Sequence, residues 1–255
     1  MSLRADLFAA RAPFAGFAVI GICWGGFAAQ VPEIKARIGA GDAAFGLAML
    51  IAALGAVMAL WLAPLADQRL ARRALLVPSM LALAGFVLAG AAPAVLAFTA
   101  AMLLCAATSG TVDVITNARI SALESARGRP LMSLAHATFS LFYALAALAV
   151  GGLRELGWTP VEIFALLALA GGGLCLWVAQ DPRPAPVPEG AQAGPAPRQA
   201  ALVWLGGAVL LVAFLAEQAT EAWSALHLER TLGASAAGGA TGPAILGLTM
   251  CVGRL

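Results

Sequence analysis

Charge is what this 255-residue chain has least of: 11% of its residues are Asp, Glu, Lys or Arg, against 62% hydrophobic. Ordinary soluble domains run at about 25% charged and roughly 45–50% apolar. A soluble fold must leave much of its surface facing water, and it has nowhere to hide such an excess. That excludes a soluble enzyme, a disordered chain and a secreted disulfide domain; the solvent is a bilayer. Cysteine is also scarce. Cys23, Cys105, Cys175 and Cys251 are widely spaced inside apolar runs with no CxxC pair, so they read as small packing residues rather than metal ligands or a disulfide framework. A single Tyr and no apolar-out, polar-in alternation exclude an outer-membrane barrel. A net charge of +2 gives no nucleic-acid surface. Walker A, G-x-S-x-G and HExxH patterns are missing, which removes an ATP motor and an intramembrane protease. No enzyme, cofactor or metal is expected. The first apolar run begins near Pro13 and continues for about 18 residues, too long for a signal-peptide core.

What is there is a series of long apolar runs. A helix needs about 20 apolar residues to cross the hydrocarbon core. Spans are expected at 13–31, 44–66, 74–92, 94–118, 131–152, 160–179 and 201–226, with an eighth beginning near 241. In lipid the backbone must satisfy its own hydrogen bonds, so these runs are helices and the fold class is all-α integral membrane. With the N-terminus cytoplasmic, the inside segments hold ten arginines and the outside loops hold Lys35, Arg37, Arg154 and Arg230, as the positive-inside rule requires. Trp61, Trp158, Trp177 and Trp204 fall near span ends, as interfacial anchors do.

The one linker is Pro-rich, residues 181–199, after the sixth span. It divides the chain into a six-helix bundle over 1–180, a cytoplasmic linker over 181–200, and part of a second bundle over 201–255. Ile38-Gly39-Ala40 after the first span is echoed by Leu232-Gly233-Ala234 after the seventh, an offset of 194. Transporters built from two parallel halves repeat in this way. By that offset Leu255 corresponds to position 61, inside the second span, and the expectation is one complete bundle and the start of another.

Ionisable groups within a membrane are costly and are functional candidates by default. Asp113 lies in the fourth span, about six residues or roughly 9 Å from its cytoplasmic end, with Asn117 four residues on and on the same face. It reads either as a protonatable carboxylate facing a cavity, with Asn117 as hydrogen-bond partner, or as a polar lock between helices. Glu217 and Glu221 in the seventh span are also four apart; they can share a proton or hold a polar ligand, with Trp223 a flat surface for a sugar-like ring. Glu221 can equally be a hydrated group near the outer interface. Gln30 closes the first span before Pro32 and is a candidate cavity residue; Glu33 reads as a solvated loop charge. His136 opens the fifth span, as a neutral imidazole bonded to a neighbouring helix or as a proton relay. Asp67 with Arg69, Arg72 and Arg73 fills the turn between spans two and three. That turn is either positive-inside bias alone or a latch, Asp67 capping a helix and pairing with Arg when the cytoplasmic side is closed.

The stretch Ala63-Pro64-Leu65-Ala66-Asp67-Gln68-Arg69-Leu70-Ala71-Arg72-Arg73 resembles the cytoplasmic signature of the major facilitator superfamily, with Asp67 at its acidic position and Arg72 and Arg73 at its basic end. Ala63, Gln68 and Leu70 depart from that signature. Gly110-x-x-Asp113-x-x-x-Asn117, the entry Gly128-Arg129-Pro130 through His136 and Ser140, the pair Trp24-Gly25 and the segment Glu217 to Trp223 are similar to the fucose-permease-like branch and related bacterial inner-membrane permeases. The acidic residue which fucose permease carries later in its first helix is missing here, with Gln30 nearby, so fucose itself is not implied. The resemblance implies a multi-pass inner-membrane permease working by alternating access, monomeric when full length. It would couple a small polar solute, sugar-like or another metabolite, to protons through Asp113 and Glu217. The alternatives are an efflux permease, against which the stretch 141–152 lacks the expected proline, and a non-transporting membrane protein or fragment.

Overall fold

The computed structural model describes residues 3–181 and 200–255, so the expected linker lies outside the described residues except for Asp181 and Ala200. Among the described residues there are ten α-helices and no strand. In chain order they are α1 (Leu3–Ala9), α2 (Arg11–Ala28), α3 (Val31–Arg37), α4 (Asp42–Leu70), α5 (Leu76–Ala91), α6 (Val95–Arg127), α7 (Met132–Glu155), α8 (Pro160–Val178), α9 (Ala200–Leu232) and α10 (Ala236–Gly253). Seven of these are long and apolar enough to cross a membrane. The third expected span, 74–92, is α5, a shorter apolar helix of 16 residues. This is an all-α, multi-pass membrane fold.

Helix ends follow local chemistry. The first span stops at Ala28, and the chain restarts as α3 with Pro32 in its first turn, where a missing N–H costs nothing. Thr159 and Glu162 form a reciprocal capping box on α8. Helix α10 begins at Ala236, earlier than the expected 241, because the Ser235 side chain accepts from Gly238 N at 3.3 Å. Helix α6 continues nine residues past its expected end at 118, until Gly128 takes a left-handed conformation at φ 64°. The echoed triplets also share a conformation: Gly39 and Gly233 have φ of 65° and 68°, each between the end of one helix and the start of the next.

Packing is by small residues. Helix α2 is buried over most of its length and contacts α5, α6, α7 and α8. A Cβ on Gly21 would lie 2.5 Å from Phe139 O, and one on Gly25 2.1 Å from Tyr143 O, so α2 and α7 meet backbone to backbone. Helix α4 buries Phe45, Ala48, Ala52, Gly55, Ala59 and Ala63 against α6, while Leu50, Leu54, Leu60 and Trp61 face outward. Small residues inside and large ones outside is what a lipid-facing helix requires, since lipid solvates leucine as well as protein does. Helix α10 packs on α7 and α9, and α9 touches α2 and α3 near its C-terminal end. The N-terminal part of α9, residues 201–216, is exposed.

Candidate functional site

Polar groups from α6, α7, α9 and α10 converge where the last two helices meet the first eight. On α6, the Asn117 amide donates to the main-chain oxygen of Asp113 at 3.0 Å, and its Oδ1 accepts from His136 Nε2 on α7 at 3.0 Å. His136 is thus bonded to a neighbouring helix, with its ring against Phe17 at 4.7 Å. One turn along α7, Ser140 accepts from Arg254 Nη1 at 2.6 Å, and the same nitrogen donates to His136 O at 3.2 Å. Arg254 is also close enough to Asp113 to act on its carboxylate electrostatically. On the α2 side, Trp24 Nε1 donates to Ser109 Oγ at 3.1 Å, a turn before Asp113.

A second group lies on α9. Glu221 is buried and Glu217 half-buried, and Gln218 Nε2 donates to Glu221 Oε2 at 2.9 Å. The Tyr143 phenol of α7 faces both carboxylates. Glu221 is therefore an interior group here and not a hydrated interfacial one. Trp223 is placed elsewhere. Its ring packs edge-on against Phe45 at 6.0 Å and beneath the Lys35 ammonium at 5.3 Å. Two residues turn a helix by about 200°, so residue 223 points away from the face that carries 217 and 221. Gln30 is fully buried; its amide donates to Gly26 O at 3.2 Å, and its Oε1 has no partner among the described residues. Glu33 is exposed.

The expected Asp67 latch has another partner. Asp67 Oδ1 accepts from Arg119 Nη2 at 2.5 Å, and Arg119 Nε donates to Asp181 at 3.0 Å. This ties the ends of α4, α6 and α8 into one triad. Arg72 and Arg73 lie in a short 3₁₀ turn, exposed beside Arg69. The reason is reach: α6 runs past the apolar stretch and brings Arg119 alongside α4, whereas Arg72 and Arg73 turn outward with the chain. Burial pushes the Asp181 carboxyl up, against the pull of Arg119.

At the opposite end an ion-pair cluster joins α9 and α10 to the first eight helices. Arg154 at the end of α7 donates to both oxygens of Glu229 on α9, at 2.6 and 3.0 Å, and to Ala29 O at 2.8 Å. Arg230 pairs with Asp42 at 3.1 Å, and Lys35 also contacts Asp42. Burial first, and Arg230 second, hold the Lys35 ammonium below its usual range. Ala237 N in the first turn of α10 donates to Glu155 at 3.0 Å. Sequence reasoning treated Arg119 and Arg154 as loop charges and did not single out Tyr143, Glu229 or Asp181. Tyr143 carried a signal, as the only tyrosine in the chain, set in an alanine-rich span.

Comparison with known proteins identifies the family. The profile of the Major Facilitator Superfamily matches residues 14–255. An uncharacterised MFS-type transporter of Yersinia pestis is 30% identical, the match covering 94% of this chain and 62% of that protein. An uncharacterised transporter of Sinorhizobium fredii is 32% identical over 64% of this chain and 44% of its own length. The chain thus spans 62% and 44% of the lengths of these two relatives. No solved structure matches it. With eight apolar helices packed through small residues and a match that runs from residue 14 to residue 255, the chain belongs to the Major Facilitator Superfamily.

Proposed function

We propose that this chain carries a small polar solute across the bacterial inner membrane by alternating access, coupled to protons, with Asp113 as the proton-carrying group. The observation that supports this reading is the Asp113–Asn117–His136 group on α6 and α7, which Arg254, just past the end of α10, reaches. Ionisable groups inside apolar helices are costly, and here they lie where two sets of helices meet. In transporters of two related halves, the solute site sits at such a junction and the halves rock about it. On this reading residues 1–180 form one bundle, 181–200 a linker and 201–255 part of a second bundle, with the N-terminus cytoplasmic. The Arg154 end is then the outer end, tied by ion pairs, and the Arg119 end faces the cytoplasm.

Protonation of Asp113 removes a charge whose field acts on Arg254, so it weakens the attraction between α6 and α10. This is a differential interaction of the kind a proton needs in order to shift a two-state equilibrium. The relatives named above, both described as transporters, support the same class. The experiment is uptake by proteoliposomes of a panel of radiolabelled small polar solutes under an imposed pH gradient. Asp113→Asn is expected to abolish accumulation against a gradient while leaving solute exchange. Undiminished proton-driven accumulation in Asp113→Asn would remove Asp113 from the coupling role.

A further inference from the structure

Helices α2, α7 and α8 leave a groove on the outside of the bundle, at the end where α2 begins and α8 stops. Helices α7 and α8 both pack on α2 and scarcely on each other, and the residues that join them, 156–159, lie at the opposite end. Between them is a cavity of about 230 Å³. Its floor is Ala15 and Ala18 of α2, both buried, whose methyl groups are too short to fill the gap. Phe142 of α7, Trp177 of α8 and Leu7 of α1 also line it. Trp177 and Leu7 are exposed, so the groove opens outward to the lipid.

Hydrocarbon is what fits this groove. Its lining is apolar except for Thr138 and Arg11, and the Thr138 hydroxyl already donates to Leu134 O at 2.9 Å. A polar solute would lose its hydration there and recover no hydrogen bond, and apolar cavities stay dry. Arg11, the first residue of α2, stands at the mouth. Its Nε donates to Gln180 Oε1, just past α8, at 2.9 Å and its Nη1 to Phe8 O at 2.6 Å, with the guanidinium over the Phe8 ring at 4.1 Å. Each of these partners is neutral. Arg11 has no ion pair among the described residues. The Asp6 carboxylate of α1 is engaged by Arg127 and Arg129 instead, at 2.5 and 3.6 Å, which also fixes α1, and with it Leu7, against the bundle. The guanidinium therefore carries an uncompensated charge, and its Nη2 has no partner among the described residues.

We propose that this groove holds an acyl chain of an anionic glycerophospholipid whose phosphate is bound by Arg11. The planar guanidinium fork matches phosphate oxygens, and basic pockets between membrane helices take anionic headgroups. Trp177, one turn before Gln180, sits beside the arginine as an indole does at the headgroup level. Tail and headgroup are matched by the same site: the chain covers the alanine floor while the phosphate neutralises the guanidinium. A zwitterionic lipid fits less well, because its ammonium adds a second cation beside Arg11. A free phosphate would leave the groove empty. The site lies on the outside of the bundle and stands whether or not Asp113 couples protons.

The test uses the full chain in nanodiscs of phosphatidylethanolamine, doped with a small fraction of dibrominated phosphatidylglycerol or of dibrominated phosphatidylethanolamine. Bromine quenches indole fluorescence on contact, and the share of Trp177 is the difference between each protein and its Trp177→Phe counterpart. Dibrominated phosphatidylglycerol is expected to quench Trp177 about fivefold more effectively than dibrominated phosphatidylethanolamine at the same fraction, the factor that one arginine confers at a membrane surface. Arg11→Gln should fold, because both of its acceptors lie at exposed positions and return to water. It should lose the preference while phosphatidylethanolamine quenches as before. Glycerol 3-phosphate in solution should leave the preference of the parent unchanged. Equal quenching by the two lipids in the parent, or a preference retained in Arg11→Gln, would overturn the assignment. So would loss of the preference on adding glycerol 3-phosphate, which marks a site for free phosphate, and so would a Trp177 that neither lipid quenches, which marks a groove covered by protein.

Discussion

Replacing Gly25 by Ala tests the central packing claim with one carbon atom. The added Cβ would sit 2.1 Å from Tyr143 O and 2.7 Å from both the carbonyl carbon and Cα of the same residue, whereas ordinary contact begins at 3.4 Å. All three obstacles are backbone, so no rotamer change relieves them. The helices must part by more than about 1 Å, which forfeits a quarter to a half of the dispersion well at each contact along the seam. Overpacking of a well-filled core costs about 1–3 kcal/mol, and a backbone obstacle puts Gly25→Ala at about 3 kcal/mol. That is on the order of 100-fold in the folded-to-unfolded ratio. At about 2–4 °C per kcal/mol for a chain of this size, the unfolding midpoint should fall by about 6–12 °C. The assay is thermal unfolding of detergent-solubilised protein followed by size-exclusion chromatography. The matched control is Gly152→Ala, in α7, where nothing lies within 4 Å of the new Cβ. Alanine is the better helix former by about 1 kcal/mol, so that change should leave the midpoint level or raise it. If the two variants unfold at the same temperature, the backbone contact between α2 and α7 does not exist as described.

Other expectations follow from the ion pairs. Arg154→Ala strands Glu229 and the Ala29 carbonyl, and with the arginine side chain only 6% exposed the loss should be about 3 kcal/mol. The measurement is maleimide labelling of a cysteine placed at Ser224, which should speed up by on the order of 100-fold. A charge reversal, Arg154→Glu with Glu229→Arg, should recover most of that change; unchanged labelling in both variants would show that the pair does not hold this end closed. Arg119→Ala leaves Asp67 and Asp181 facing each other without a cation, and a cost of about 3–5 kcal/mol is expected in thermal unfolding. Asp181 carries a pH signature. Burial raises its folded-state pKa, so the folded protein binds the proton more tightly, and stability falls as pH rises through the range above the ordinary carboxylate value. Asp181→Asn should flatten that slope in unfolding midpoints measured against pH.

The reach of sequence reading differs from element to element. Membrane class and eight apolar spans were legible because lipid imposes a length and an apolarity that composition alone reveals, and the superfamily was legible only through the resemblance of the Ala63–Arg73 turn to its cytoplasmic signature. Asp113, Asn117, His136, Glu217 and Glu221 were legible because polar groups stand out against apolar runs. Their partners were not. Arg119 looked like a loop charge because the apolar run ends before it, yet α6 continues as a polar helix and delivers Arg119 to Asp67 and Asp181. Trp223 looked like a ligand platform by its nearness in sequence to Glu221, but helical rotation turned it toward Phe45 and Lys35.

The sequence by itself determined the solvent, the number of apolar spans and the set of polar side chains available inside the membrane, because these depend on local composition and spacing, while the family was read from a motif. Tertiary structure alone decided which of those side chains meet. The pairing of Tyr143 with the α9 carboxylates and of Arg154 with Glu229 depends on how closely α2, α7, α9 and α10 approach. That approach is set by glycines and alanines whose effect is felt only when a second helix lies against them.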